Sequence, residues 1–343
     1  MWNSVRRITG SLMSMKGFVK SIRFCLFGMA ACSAFEAEAQ NVNLTPQPKD
    51  MQVQEGMLTL PSSFEANVSQ LGDSVIQEVD QFIEVLGASS GISVKTTGDA
   101  KALLQVRLNP EIKNSEGYVL RVTDSGILVE ASCTDGFFYA FQTLKKMLPA
   151  NVMAGVKDPK VTSYALPLVQ ITDEPRFGYR GFMLDVARHF FDVDEVKRVL
   201  DMMACYKMNK LHLHLSDDQG FRVEITKYPR LNTIGSIRDD SYSTDFGGSG
   251  KRIHTYKPYG PYYYTKEQIR ELVAYAEKLH IDIIPEIDMP GHFGAAMAAY
   301  PEFSCEPNVR HPVISDESLG ILLLHHGVDV LLRKVLIQVH VVA

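Results

Sequence analysis

Two rhythms of apolar and polar residues follow one another along this chain. Before residue 172, short stretches alternate with period two. Leu103–Leu108, Gly117–Val122 and Gly126–Ala131 read as strands, with Lys113-Asn114-Ser115-Glu116 and Asp124-Ser125-Gly126 as turns between them. A helical period runs through Val75, Ile76, Val79, Phe82, Ile83 and Leu86, and predicts a helix capped by Ser74 and stopped by Gly87. A second helix starts at Asp135, passes Phe138, Phe141, Gln142 and Leu148, and ends at Pro149. Residues 41–172 therefore predict a small α+β domain without a catalytic constellation, whose expected role is structural support.

After a looser segment at 150–165 the pattern becomes strand, helix, strand, helix. Gly181–Val186 is an apolar strand leading to Asp185 and Arg188. Asp192 and Glu195 have the spacing of a capping box, opening a helix with Val196, Val199, Leu200 and Met203 on one face. Asn209–Leu215 is a second strand and ends in Ser216-Asp217-Asp218. A long loop rich in Gly, Tyr and Asp leads to a second capping box, Thr265 with Gln268, and a helix facing inward through Ile269, Leu272, Val273 and Ala276. A third strand, Ile281–Ile284, runs into Glu286, Asp288 and His292, broken by Pro290-Gly291. This alternation predicts a parallel sheet, either doubly wound or a (β/α) barrel. Three strands ending in charged residues favour the barrel, which gathers such residues on one face. No Gly-rich phosphate loop follows any strand, which counts against a nucleotide-binding sheet.

Composition adds compartment rather than chemistry. With 343 residues, 45% of them hydrophobic and 22% charged, the chain is an ordinary globular protein of about two domains. A net charge of −5 gives no reason to expect nucleic-acid or anionic-membrane partners. Arg6, Arg7, Lys16, Lys20 and Arg23 precede an apolar run from Phe24 to Phe35, and Ala37-Glu38-Ala39 offers a small-x-small cleavage site. Residues 1–39 thus read as a signal peptide whose apolar run is too short for a membrane span, and the protein as exported, periplasmic or extracellular. Lipoprotein processing at Cys32 is the alternative. Cys133, Cys205 and Cys305 would remain, too widely spaced for a zinc motif.

The candidate chemistry sits on the strand tips: Asp185, Arg188, Asp217, Asp218, Glu286, Asp288 and His292. One option is zinc, held by His212 and His214, which share a strand face, together with Asp288 and His292. The other is a metal-free carboxylate site. Charged side chains bind sugar hydroxyls in pairs, and glycoside cleavage needs a protonated carboxyl as general acid.

Three long motifs carry a resemblance. Arg176-Phe177-Gly178-Tyr179-Arg180-Gly181-Phe182-Met183-Leu184-Asp185-Val186-Ala187-Arg188-His189-Phe190-Phe191 is similar to the first barrel strand of family 20 glycoside hydrolases, the β-N-acetylhexosaminidases. Lys210 to Arg222 (KLHLHLSDDQGFR) and Pro285 to His292 (PEIDMPGH) resemble the second and third. The stretch from Leu44-Thr45-Pro46-Gln47-Pro48 to Ile171-Thr172-Asp173-Glu174-Pro175-Arg176 resembles the family's accessory domain.

The resemblance implies a partial (β/α)8 TIM barrel of about three strands, residues 176–305, preceded by an α+β accessory domain at 41–172 and followed by a divergent tail, 306–343. It implies glycan or glycoconjugate substrates with terminal β-linked N-acetylglucosamine or N-acetylgalactosamine, and neither cofactor nor metal. The mechanism would be retaining and substrate-assisted, one of the exceptions to the two-carboxylate rule, with the 2-acetamido oxygen as nucleophile. Arg188 would grip hydroxyls of the terminal sugar. Asp217 and His292 would form a relay that tunes the general acid, with Asp288 in support.

The family's acid and its partner lie in a His-x-Gly-Gly-Asp-Glu motif, and these 343 residues contain none. Asp316-Glu317 is an adjacent acid pair without that context and reads as a solvated turn. The single tryptophan is Trp2, whereas the family walls its sugar pocket with tryptophans. A complete barrel takes about 250 residues, more than remain after 176. The expectation is a hexosaminidase by family, inactive as this chain alone. The alternatives are a non-catalytic glycan-binding remnant and a zinc-dependent barrel hydrolase.

Overall fold

Tyr118, Leu120 and Val122, and beside them Ile127, Val129 and Ala131, bury every second side chain, and this period of two fixes the larger sheet. The computed structural model describes residues 42–244 and 252–304, with 308 and 312–313. The expected signal segment with Trp2 and Cys32, Cys305, the Asp316-Glu317 pair and most of the 306–343 tail lie outside the described residues.

The first half contains β1 (Asp50–Thr59), β2 (Ser63–Asn67), α1 (Asp73–Ser90), β3 (Ser93–Thr97), β4 (Leu104–Leu108), β5 (Tyr118–Thr123), β6 (Gly126–Ala131), α2 (Thr134–Met147), α3 (Ala150–Met153) and β7 (Ala165–Asp173). Its seven strands form one mixed sheet in the order β1-β7-β5-β6-β4-β2-β3. The Asp124-Ser125-Gly126 turn joins β5 to β6 as expected. Lys113–Glu116 does not fold β4 back onto β5. Instead β4 runs parallel to β6 and β2, a non-local pairing that no turn signal announces.

The predicted helices form, with different ends. Gly72, not Ser74, is the N-cap of α1, and the helix runs past Gly87 to Gly91. Only Gly91 adopts the left-handed conformation (φ 78°) that lets its N–H close back on the Gly87 carbonyl. Phe82 and Phe141 stack at 5.0 Å and join α1 to α2. Gly136 allows α2 to lie against the sheet, since a Cβ there would stand 2.4 Å from the Gly117 carbonyl oxygen.

The second half contains β8 (Gly181–Asp185), α4 (Val193–Cys205), β9 (Lys210–His214), β10 (Ser216–Asp217), β11 (Gly220–Phe221), α5 (Arg230–Thr233), β12 (Tyr242–Thr244), β13 (Arg252–His254), α6 (Lys266–Glu277), β14 (Asp282–Glu286) and α7 (Gly294–Ala299). Strands β14, β9 and β8 form a parallel sheet in that order. Both capping boxes are in place, Asp192 with Glu195 and Thr265 with Gln268. Leu184, Leu211 and Leu213 are buried on the face that the apolar sides of α4 and α6 cover. The opposite face carries Met183, His212 and Ile284 in one row and Asp185, His214 and Glu286 in the next. Met183 and Ile284 are exposed there.

Residues entering the lower ends of the three strands fasten them to the first half. Arg180, before β8, pairs both guanidinium nitrogens with Glu116 at 2.8 and 2.9 Å. Lys207, before β9, meets Asp173 and the Tyr118 hydroxyl, each at 2.8 Å. His280, before β14, lies 2.6 Å from Asp135 and 3.0 Å from Glu78. Burial alone would lower the His280 pKa, but Asp135 and Glu78 outweigh it and push it up to about 9.

A histidine raised in this way stabilises the fold fully below its unfolded pKa near 6.5, and that stability is lost as pH rises through 9. The difference is about 3 kcal/mol. Urea unfolding across this range should show a correspondingly shallower decline for His280→Gln. Identical slopes in the two proteins would contradict this.

No helix among the described residues is long and apolar enough to cross a membrane. Cys133 is an exposed and Cys205 a half-buried free thiol.

Candidate functional site

With the lower strand ends fastened, the upper tips carry the polar cluster. Asp185 ends β8 in a local turn: its Oδ1 accepts the N–H groups of Ala187 and Arg188, each at 3.0 Å. Its Oδ2 takes Arg188 Nη1 at 2.7 Å. The other arm of the same guanidinium, Nη2, reaches Asp217 Oδ2 at 2.8 Å. Arg188 is thus stretched between two carboxylates and stays one-third exposed at the tip.

Asp217 is held by the short β10–β11 ladder and is almost fully buried. Besides Arg188, its Oδ2 receives His214 Nε2 at 2.9 Å. Its Oδ1 receives the Asp218 N–H at 2.6 Å and lies 3.3 Å from His292 Nδ1. Burial alone would raise the Asp217 pKa, but His214, the Asp218 N–H and Arg188 outweigh it and hold the carboxyl below its usual range. Asp218 goes the other way. Its burial, helped by the Asp217 charge, raises it, although its Oδ1 accepts the Gly294 N–H at 2.8 Å.

The third tip is divided between two tasks. Glu286 Oε2 lies 2.6 Å from His212 Nε2 and 2.8 Å from His214 Nδ1, because the register sets His214 directly opposite Glu286. His292 adopts a left-handed backbone (φ 53°) after Pro290-Gly291 and faces Asp217. The Asp288 N–H binds Ser216 Oγ at 3.0 Å, which ties the third tip to the second. The Asp288 carboxylate lies within 4.8 Å of a His214 ring nitrogen and a Glu286 carboxylate oxygen.

Arg188, Asp217 and His292 are therefore brought together, and Asp288 joins the cluster through Ser216, His214 and Glu286. The zinc set is not assembled. His212 and His214 both turn onto Glu286, while His292 turns onto Asp217. Among the described residues, ligand atoms converge only as His214–Glu286–Asp288 and as Asp217–Asp218–His292. Arg188 already neutralises Asp217 in the second group. The sequence offered His214 only as a zinc candidate beside His212 and Glu286 only as a strand-tip carboxylate; their link to Asp217 depends on inter-strand register. Arg222 carried no signal beyond its place in the second motif. It is fully buried and donates to the carbonyls of Ala187, Gln219, Ser236 and Tyr262, binding the loops of the site together.

Similar proteins share this architecture. Residues 41–174 match glycosyl hydrolase family 20, domain 2, and residues 177–322 match the family 20 catalytic domain. A beta-hexosaminidase of Porphyromonas gingivalis is 35% identical over 84% of this chain and 36% of its own length. The N-acetyl-beta-hexosaminidase of Streptomyces plicatus superposes with a TM-score of 0.73 at 32% identity, over 88% of this chain and 57% of that one. An exo beta-N-acetylglucosaminidase of Vibrio harveyi, solved in complex with N-acetylglucosamine, gives 0.68 at 30% identity, over 87% and 45%. The chain spans about a third of the length of the curated relatives it matches. These structural relatives imply a TIM-barrel-type α/β fold with an N-terminal domain. On both matched segments, the chain belongs to glycosyl hydrolase family 20.

Proposed function

We propose that residues 176–305 form the first three strands of a β-N-acetylhexosaminidase barrel, with 41–172 as its accessory domain, in an exported protein. The terminal β-linked N-acetylhexosamine of a glycan would lie against the strand tips. Arg188 would bind its ring hydroxyls, since a planar guanidinium one-third exposed between two carboxylates is oriented before the sugar arrives. Asp217 and His292 would form the relay toward the general acid, with Asp288 beside it.

The observation that carries this reading is the single buried Asp217 carboxylate, which holds Arg188 with one oxygen and faces His292 with the other. In the substrate-assisted mechanism the acetamido oxygen attacks the anomeric carbon while an acid protonates the leaving oxygen. The His-x-Gly-Gly-Asp-Glu motif that carries the acid in the family is not among these 343 residues. The chain alone is therefore proposed to bind the sugar without cleaving it. Incubation of the 343-residue chain with p-nitrophenyl N-acetylglucosaminide should release no p-nitrophenol above the buffer rate. Release that disappears on Arg188→Ala would overturn this.

A further inference from the structure

His214 is 4% exposed, and the roles proposed for the strand tips do not use it. Both of its ring nitrogens face carboxylates, Asp217 at 2.9 Å and Glu286 at 2.8 Å. Ionised carboxylates only accept hydrogen bonds, so both nitrogens carry protons and the ring is an imidazolium. In agreement, the Asp217 hydrogen bond, seconded by Glu286, pushes its pKa up to about 9 against the effect of burial.

A carboxylate has about four acceptor positions. At Asp217 these are turned to His214 and Arg188 on Oδ2 and to the Asp218 N–H and His292 on Oδ1. Arg188 and His214 are each gripped from behind by a second carboxylate, Asp185 and Glu286, but of the two only His214 is buried, and Glu286 also holds His212. Asp185, Asp288 and Arg188 also lie around it.

We infer that His214 is a positioning residue: clamped between Glu286 and Asp217, it fixes the Asp217 carboxylate and, through it, the placement of Arg188 and His292. Its connection to sugar rests on the function proposed above. The imidazole need not touch the ligand, because it acts by preventing Asp217 from rotating away from Arg188.

The test is His214→Gln in the 343-residue chain, with the Arg188 guanidinium N–H resonances followed by NMR without ligand and N-acetylglucosamine binding measured by calorimetry. Freeing Asp217 should speed solvent exchange of those N–H protons about tenfold and weaken the sugar about tenfold. In an Asp217→Asn background the same change should alter either readout by less than about twofold. Unchanged Arg188 exchange, or an equal change in both backgrounds, would overturn the inference. Should His214→Gln fail to fold, Glu286→Gln keeps the imidazole but removes its clamp and is expected to give a smaller change in the same direction; no change there counts against the inference. Faster exchange in a chain that binds no sugar upholds the positioning role and overturns the sugar reading. Sugar binding with Arg188 exchange unchanged does the reverse.

Discussion

Replacing Arg222 with methionine is expected to cost about 4 kcal/mol of unfolding free energy. Methionine matches the aliphatic stem but supplies no donor, so the carbonyls of Ala187, Gln219, Ser236 and Tyr262 lose hydrogen bonds in a buried place. Each such bond to a charged group contributes about 1.5–3 kcal/mol. Releasing the buried charge offsets part of this loss, since burial already pushes the Arg222 pKa down to about 10. Lysine should rescue little, because one ammonium cannot span carbonyls on four segments. Gly220 shows how closely the site is fitted to this group: a Cβ there would stand 2.0 Å from the guanidinium. Urea unfolding measures the effect, and a loss below about 1 kcal/mol would contradict it.

Arg188→Ala is expected to abolish saturable binding of N-acetylglucosamine while the fold persists. The guanidinium is the cation that reaches both Asp185 and Asp217 at the tip. Truncation removes the donors offered to the sugar and leaves the Asp185 and Asp217 carboxylates without the cation that holds them in place. Losing a charged, oriented partner of this kind weakens binding by roughly 2–4 kcal/mol, or about 30-fold to 1000-fold. Arg188→Lys retains charge but not the fork and should recover only a small part. Unchanged affinity in Arg188→Ala, by calorimetry, would remove Arg188 from the site.

Elements governed by neighbouring residues were legible in the sequence. Asp192 with Glu195 and Thr265 with Gln268 close their boxes as their spacing requires, and β4 to β6 lie where the alternation placed them. Strand β1 was not legible, because it is an edge strand with nearly every side chain exposed and so shows no alternation. Strand β7 starts where the looser 150–165 segment ends, and Pro167 interrupts its pattern. The end of α1 shifted from Gly87 to Gly91 because composition does not reveal which glycine takes a positive φ. At the site, Arg188, Asp217, Asp288 and His292 stood out through their motifs. The roles of His214 and Glu286 did not, since they meet only through the pairing of β9 with β14, 72 residues apart.

These strand tips, organised around Asp217, are proposed as the hydroxyl-binding wall of an N-acetylhexosamine site. Calorimetric titration of N-acetylglucosamine into the 343-residue chain tests it most directly. Saturable one-site binding is expected, with a dissociation constant on the order of 1–10 mM, as suits a sugar held by few groups. The absence of saturable heat up to about 100 mM sugar, ten times that upper bound, would contradict it.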